Sequence, residues 1–346
     1  MAKTYISDIQ PNQQIDTFFL LAEKQLRATR NGSSFLSLKL VDKTGEITGR
    51  VWEQAEEVSA MLPSKGHVRV SGRTEKYRDE LQIQIQAISP VELKEIDPAD
   101  FLPICPVEKE ILLQKLKRLV GTVKRRPLQL LLRGIFGDTG LMDRFARAPA
   151  AKAVHHAYLG GLLEHSVSVA GLVTRIAKHY EELDAEILVV GALLHDVGKV
   201  DEYVYDVYFD YSDAGRLLGH MVLGLRIVEE KIRGIKDFPV EEALVLEHLI
   251  LSHHGELEKG SPKVPMTREA FVLHFADDVD AKMSTLARVL QDMKGGSETW
   301  TAYQPLFDRF FYRGSSAEAS QGNIEEGTPV ESEAGVQLSL WQRGGK

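Results

Sequence analysis

Apolar and polar positions alternate in short runs over residues 1–95, at Phe18–Glu23, Phe35–Val41, Ile47–Val51, Val68–Gly72 and Leu81–Ile88. Period-two alternation rich in branched residues is the pattern of a strand with one buried face. Turn-forming clusters separate the runs: Arg30–Ser33, Lys43–Glu46 and Lys65–Gly66. Five strands in under a hundred residues predict a small barrel.

From Pro106 the period lengthens. Ile111, Leu112, Leu116, Leu119 and Val120 fall on one stripe of a helix. Pro127, Gly137 and Gly140 punctuate the helices that follow, and residues 150–312 read as nearly all helix. Asp184 suits the N-cap of a buried helix that ends at His195-Asp196, with Gly198 as its left-handed stop. A helix over Arg268–Met293 puts His274, Asp277 and Ala281 on one face, with Phe271, Phe275 and Val279 largely on others. After Gly314 the chain turns to Ser, Glu, Gly and Ala, a composition that predicts disorder. The expected organisation is a β domain at 1–97, a basic helical linker at 98–149, an all-α domain at 150–313 and a tail at 314–346.

Composition narrows the function classes. The single cysteine, Cys105, excludes a disulfide framework and any zinc–thiolate site. The first residues hold no apolar leader, and the apolar run Ile187–Leu194 is too short to span a bilayer. A cytoplasmic chain without a membrane partner is expected. Net charge is −8, yet residues 107–152 carry 11 basic against 4 acidic side chains. Such a local excess bears more on phosphate binding than the total does.

The chemistry concentrates in Ala192-Leu-Leu-His-Asp-Val-Gly-Lys199. Burying an imidazole beside a carboxylate is costly unless a positive charge sits between them. His165, His220, His253 or His254, and Asp277 or Asp278 are further candidate ligands. In chain order these read H…HD…H…H…D, which resembles the HD superfamily of metal-dependent phosphohydrolases. The resemblance implies a binuclear centre: His165, His195 and Asp277 around one ion, His220 and His253 around the other, and the Asp196 carboxylate bridging them. His253 is preferred to His254, and His274 is placed behind the ligands. Imidazole and carboxylate without thiolate suit Mn, with Fe, Co or Ni as alternatives to it, over Mg or Ca. Lys199 would hold a phosphate oxygen.

The pattern Phe35-Leu-Ser-Leu-Lys-Leu-Val-Asp42, then Thr44–Trp52 and Val68–Gly72, resembles the nucleic-acid-binding OB-fold. With His155–Ser166, Leu251–Gly255 and His274–Lys282, it closely resembles the YhaM family of 3′-to-5′ exoribonucleases, which join an OB-fold to an HD domain. This implies Mn-dependent removal of nucleotides from single-stranded 3′ ends, with RNA as the main substrate and DNA as an alternative to it. It casts His155 and His156 as groups that contact the substrate or stand behind the metal ligands, and His254 as a substrate contact. Tyr77, Arg73 and Lys76, with Arg50, Arg78 and Trp52, would line the barrel's binding face, while Phe35 reads as core.

Rival readings are an HD phosphohydrolase of free nucleotides, a di-iron oxygenase, and a non-catalytic single-strand-binding protein. Hydrolysis of cyclic dinucleotides is disfavoured because no Gly-Tyr-Pro follows the histidine pair. The tail contains Gln337, Leu338, Leu340 and Trp341 in an otherwise polar stretch. This island resembles the peptide by which bacterial proteins dock on the replication sliding clamp. Its alternative role is to pack on the helical domain or on another copy of the chain, in a homo-oligomer.

Overall fold

The computed structural model describes residues 3–29, 32–78, 80–205, 208–293 and 298–314. Five strands, β1 (Gln14–Ala28), β2 (Ser34–Asp42), β3 (Gly45–Val51), β4 (Gly66–Tyr77) and β5 (Glu80–Pro90), close a barrel in the order β1-β2-β3-β5-β4. All pairings are antiparallel except the β3–β5 seam, which is parallel and closes the cylinder. Alternation sets the inward face: Ile15, Thr17, Phe19 and Leu21 of β1 are buried, while their neighbours reach outward. Phe19, Leu21, Leu36, Leu38, Leu40 and Ile83 are fully enclosed. Each such side chain contributes about 1.5–3 kcal/mol of burial free energy. A short helix, α1 (Ala55–Met61), follows β3, and Ala55, Val58 and Leu62 cover one part of the core. No sequence signal announced it.

Helices follow: α2 (Lys109–Thr122), α3 (Arg126–Phe136), α4 (Thr139–Arg147), α5 (Gly161–His179), α6 (Ala185–Leu194), α7 (Lys199–Glu202), α8 (Asp213–Arg233), α9 (Val240–Ser252) and α10 (Arg268–Asp292). Residues 98–149 do not form a linker. Leu116 of α2, Leu128, Leu131 and Ile135 of α3 and Phe145 of α4 join the same core as Leu162 of α5 and Leu188 of α6. Part of the basic excess is structural: Arg125 pairs with Asp184, Glu186 and Glu242, locking the starts of α3, α6 and α9 together. After its first turn, from Ile187 to Leu194, helix α6 is apolar on every side and buried, as a central helix must be.

The described residues divide into two compact units, one up to Ala287 and a second from Arg288. The helical reading of 150–312 fails in the second unit. There, residues 298–314 make short bridges, Trp300 with Tyr312 and Gln304 with Arg309, because aromatic and Pro positions break the helical period. Residues 315–346, with the island Gln337–Trp341, lie outside the described residues. Among the described residues no helix is long and apolar enough to cross a membrane.

Candidate metal centre

Five helices, α5, α6, α8, α9 and α10, carry or adjoin the side chains that meet at one buried point. The Asp184 carboxylate accepts from the amides of Glu186 and Ile187, fixing the start of α6, which ends with His195 as its C-cap. His195 and Asp196 are then thrust into the interior, 0% and 1% exposed. Gly198 is not a left-handed stop; its φ of −66° is right-handed helical. It is needed for contact: a Cβ there would lie 2.0 Å from the His220 carbonyl oxygen. Inside α8, Gly219 adopts φ 72° and ψ 161°, conformations open essentially to glycine alone. The kink frees the His220 amide, which donates to Glu202 Oε1 at 2.9 Å.

The two oxygens of Asp196 face different histidines. Oδ2 lies 3.4 Å from both His165 Nε2 and His195 Nε2. Oδ1 lies 3.5 Å from His220 Nε2 and 3.6 Å from His253 Nε2. Asp277 Oδ1 joins the first set, 3.0 Å from His165 Nε2 and 3.8 Å from His195 Nε2. All six side chains named as ligands from the sequence therefore meet at one place. Asp278 points away and pairs with Lys282.

Each of the four histidines is held by its other nitrogen. Nδ1–H donates to Asp280 Oδ2 from His165 at 2.8 Å, to the Ala192 carbonyl from His195 at 2.8 Å, to Glu202 Oε1 from His220 at 3.0 Å and to the Ile250 carbonyl from His253 at 2.7 Å. Their Nε2 atoms then converge, with 3.2 Å between those of His165 and His195 and 3.4 Å between those of His220 and His253. At these distances each pair of nitrogens needs a proton or a metal cation between them. Asp196 Oδ1 is also buried without a hydrogen bond. The donor set fits divalent cations, as orientation of ligating imidazoles by carboxylates and carbonyls requires.

Electrostatics agree. Burial opposes ionisation of Asp196, but Lys199 and the neighbouring histidines outweigh it and hold the carboxyl well below its ordinary range. Burial would lower His165, yet the hydrogen-bonded Asp277 and Asp280 raise it to about 9, so the site draws positive charge.

The remaining candidates occupy distinct places. Lys199 was read as a phosphate contact; its Nζ is buried on Asp196 Oδ2 at 2.6 Å. His254 lies beside His220 and His253, close enough for its ring nitrogen to join theirs on one ion. Burial, then the nearby His253, lowers its pKa to about 4. Burial, with Lys199 and His165 nearby, lowers His155 to about 3. His156 stands behind the ligand His165, one of the two places the resemblance offered it: its Nε2 contacts Asp280 at 3.0 Å and its Nδ1 contacts Glu164 at 3.1 Å and Tyr158 at 2.8 Å. His274 Nδ1 donates to the His253 carbonyl at 2.8 Å, behind the ligand as expected.

Sequence reasoning missed Asp280 and Glu202. The signal for Asp280 was its spacing three residues after Asp277, which puts both on one helical face. Glu202 carried none, because the Gly219 kink creates its contact.

On the barrel, Trp52 and Tyr77 are about half exposed, and Arg73 and Lys76 are exposed. Phe35 is buried beneath Trp52, stacked at 4.8 Å. The Arg50 guanidinium lies 5.4 Å from the Phe35 ring and 5.7 Å from the Tyr77 ring, and Arg78 is 5.4 Å from Tyr77.

Residues 162–282 match the HD domain, and residues 22–91 match the OB-fold nucleic acid binding domain. Among solved structures, the chain is similar to the second OB-fold domain of replication protein A from Methanococcus maripaludis. That match is 24% identical, covers 26% of this chain and 96% of that one, and has a TM-score of 0.22. It is also similar to a small single-stranded DNA-binding protein from Streptomyces coelicolor, 20% identical over 24% of this chain and 95% of that one, TM-score 0.21. An HD domain carrying these clusters indicates a metal-dependent phosphohydrolase, and its union with an OB-fold indicates a hydrolase connected with nucleic acid.

Proposed function

We propose that the chain is a 3′-to-5′ exonuclease that hydrolyses single-stranded RNA, and also DNA, to nucleoside 5′-monophosphates, with two divalent ions, preferably Mn²⁺. The observation that carries this reading is the division of Asp196, one oxygen toward His165 and His195 and the other toward His220 and His253. A carboxylate placed so can serve two ions, and an ion pair of this kind supplies Lewis acidity to a phosphodiester's oxygens. Direction, RNA preference and manganese rest on the resemblance drawn from the sequence.

The chain's own residues define the rest. Asp280, Glu202 and the two carbonyls bind the four imidazoles at Nδ1 and aim their Nε2 atoms inward, where a bound ion would take the place of a proton. Lys199 balances the charge of Asp196 and stands next to where a phosphate oxygen would bind. His155 and His254, both neutral at pH 7, flank the ligands and are suited to accept hydrogen bonds from a ribose or base. Water attacks the terminal phosphorus, the P–O3′ bond breaks, and the last nucleotide leaves as its 5′-monophosphate. The barrel's Trp52 and Tyr77, with Arg50, Arg73, Lys76 and Arg78, would hold the strand upstream by stacking and charge. The Gln337–Trp341 island would dock on a sliding clamp; a peptide of residues 332–346 should bind that clamp in the micromolar range, and absence of binding overturns this part.

Labelled single-stranded RNA and DNA oligomers incubated with protein and Mn²⁺ test the activity. Shortening from the 3′ end with nucleoside 5′-monophosphates, identified by mass, is the expected result. Internal cuts, or hydrolysis of free nucleotides alone, would overturn it.

A further inference from the structure

Between α7 and α8 the chain leaves the helical domain as a small excursion, with strands Tyr203–Val204 and Asp210–Tyr211 paired antiparallel. Both of its ends are anchored in the metal centre's own framework. Glu202 immediately precedes it, and the Ser212 amide, which follows it, donates to the Glu202 carbonyl at 2.8 Å. Ser212 Oγ then caps α8, the helix that carries His220. Tyr203 is buried against Tyr211, with ring centroids 5.2 Å apart.

The outer face of this excursion has a different chemistry. Tyr208 is 46% exposed and Tyr211 36% exposed. Cations from three separate elements stand over these rings. Lys65, from the turn before β4 of the barrel, lies 5.2 Å from the Tyr208 ring. Lys152, from the loop that carries His155 and His156, lies 5.6 Å from Tyr211, and Arg216 of α8 lies 5.8 Å from it. Asp210 is held by Lys152 at 2.7 Å and Arg216 at 2.9 Å. One carboxylate thus ties two cations in place beside the exposed rings. Core packing does not need exposed tyrosines here, and tyrosine under lysine or arginine is the chemistry that receives a base and its phosphate.

We propose that Tyr208 and Tyr211, with Lys65, Lys152 and Arg216, form a second single-strand binding surface that passes nucleotides from the barrel to the metal centre. It rests on the nuclease reading above and adds to it where the strand runs. The barrel contributes Lys65, and the helical domain contributes the stacking rings. The strand enters beside the loop of His155.

Binding by the full-length chain tests this, with a fluorescein-labelled single-stranded 12-mer in EDTA, so that no turnover intervenes. Stacking losses are roughly fivefold or more per base. Tyr208→Ala/Tyr211→Ala should therefore weaken binding about tenfold or more, while Tyr208→Phe/Tyr211→Phe should stay within about twofold of the unaltered chain. Lys65→Ala and Lys152→Ala should each lower the salt dependence by about 0.7 log units per log unit. Thermal melting identifies any variant that misfolds, and the lysine variants then decide alone. Unchanged affinity in the alanine pair, or unchanged salt dependence in both lysine variants, overturns the surface. Equal loss in the phenylalanine pair overturns stacking. An unaltered chain that binds no single strand at all refutes the nuclease reading itself, a different result from either.

Discussion

At the scale of single residues, the positions that organise the site are those that aim a ligand as much as the ligands themselves. Asp280 accepts from His165 Nδ1 and is held in turn by Ser168 and His156. Replacing it with asparagine lets an amide donor face the imidazole and permits the wrong tautomer. Asp280→Asn should therefore weaken Mn²⁺ binding roughly 10–100-fold by calorimetry. Unchanged affinity would show that His165 needs no orienting carboxylate. Cys105 tests a different consequence of burial. Desolvation pushes its thiol up to about 12, and Glu164, 3.4 Å from its sulfur, adds to the rise. Thiolate is then scarce below that value. At pH 8 the folded protein should react with iodoacetamide more than about a hundredfold more slowly than the unfolded chain. Similar rates in the two states would contradict the burial.

At the scale of elements, legibility followed the strength of local patterns. Five strands were readable because one-sided burial forces alternation, although the true strands run further, as in β1, where Glu23–Ala28 pair with β2 while largely exposed. The α6 start was readable because Asp184 caps it by a local hydrogen bond. The His195-Asp196 pair and its partners could be found from residue type and order alone. What escaped was tertiary. Nothing near Gly198 reveals that its hydrogen faces the backbone of α8, so a left-handed turn was the natural local reading. The apolar stripe of α2 was visible, but its partner helices were not, and the segment was taken as a linker. Gly198→Ala drives a methyl group into the His220 carbonyl. Overpacking of about 1–3 kcal/mol should follow, lowering Tm by several degrees and reducing metal affinity as His220 shifts. A variant with unchanged melting and metal binding would show that the α7–α8 contact yields freely.

At the scale of the whole molecule, the barrel and the metal centre lie in one compact unit, and the proposed division of labour assigns binding to one and hydrolysis to the other. Trp52→Ala/Tyr77→Ala should weaken binding of long single strands about tenfold, with much smaller effect on cleavage of dinucleotides that cannot reach both places. Equal losses on both substrates would contradict the separation.

The central claim is that Asp196 joins two cations. Its most direct test is the number of Mn²⁺ ions retained per chain after equilibrium dialysis, measured by mass spectrometry on the unaltered protein and on Asp196→Ala. The account predicts two for the first and fewer for the second. One ion or none in the unaltered chain, or two retained without Asp196, would contradict it.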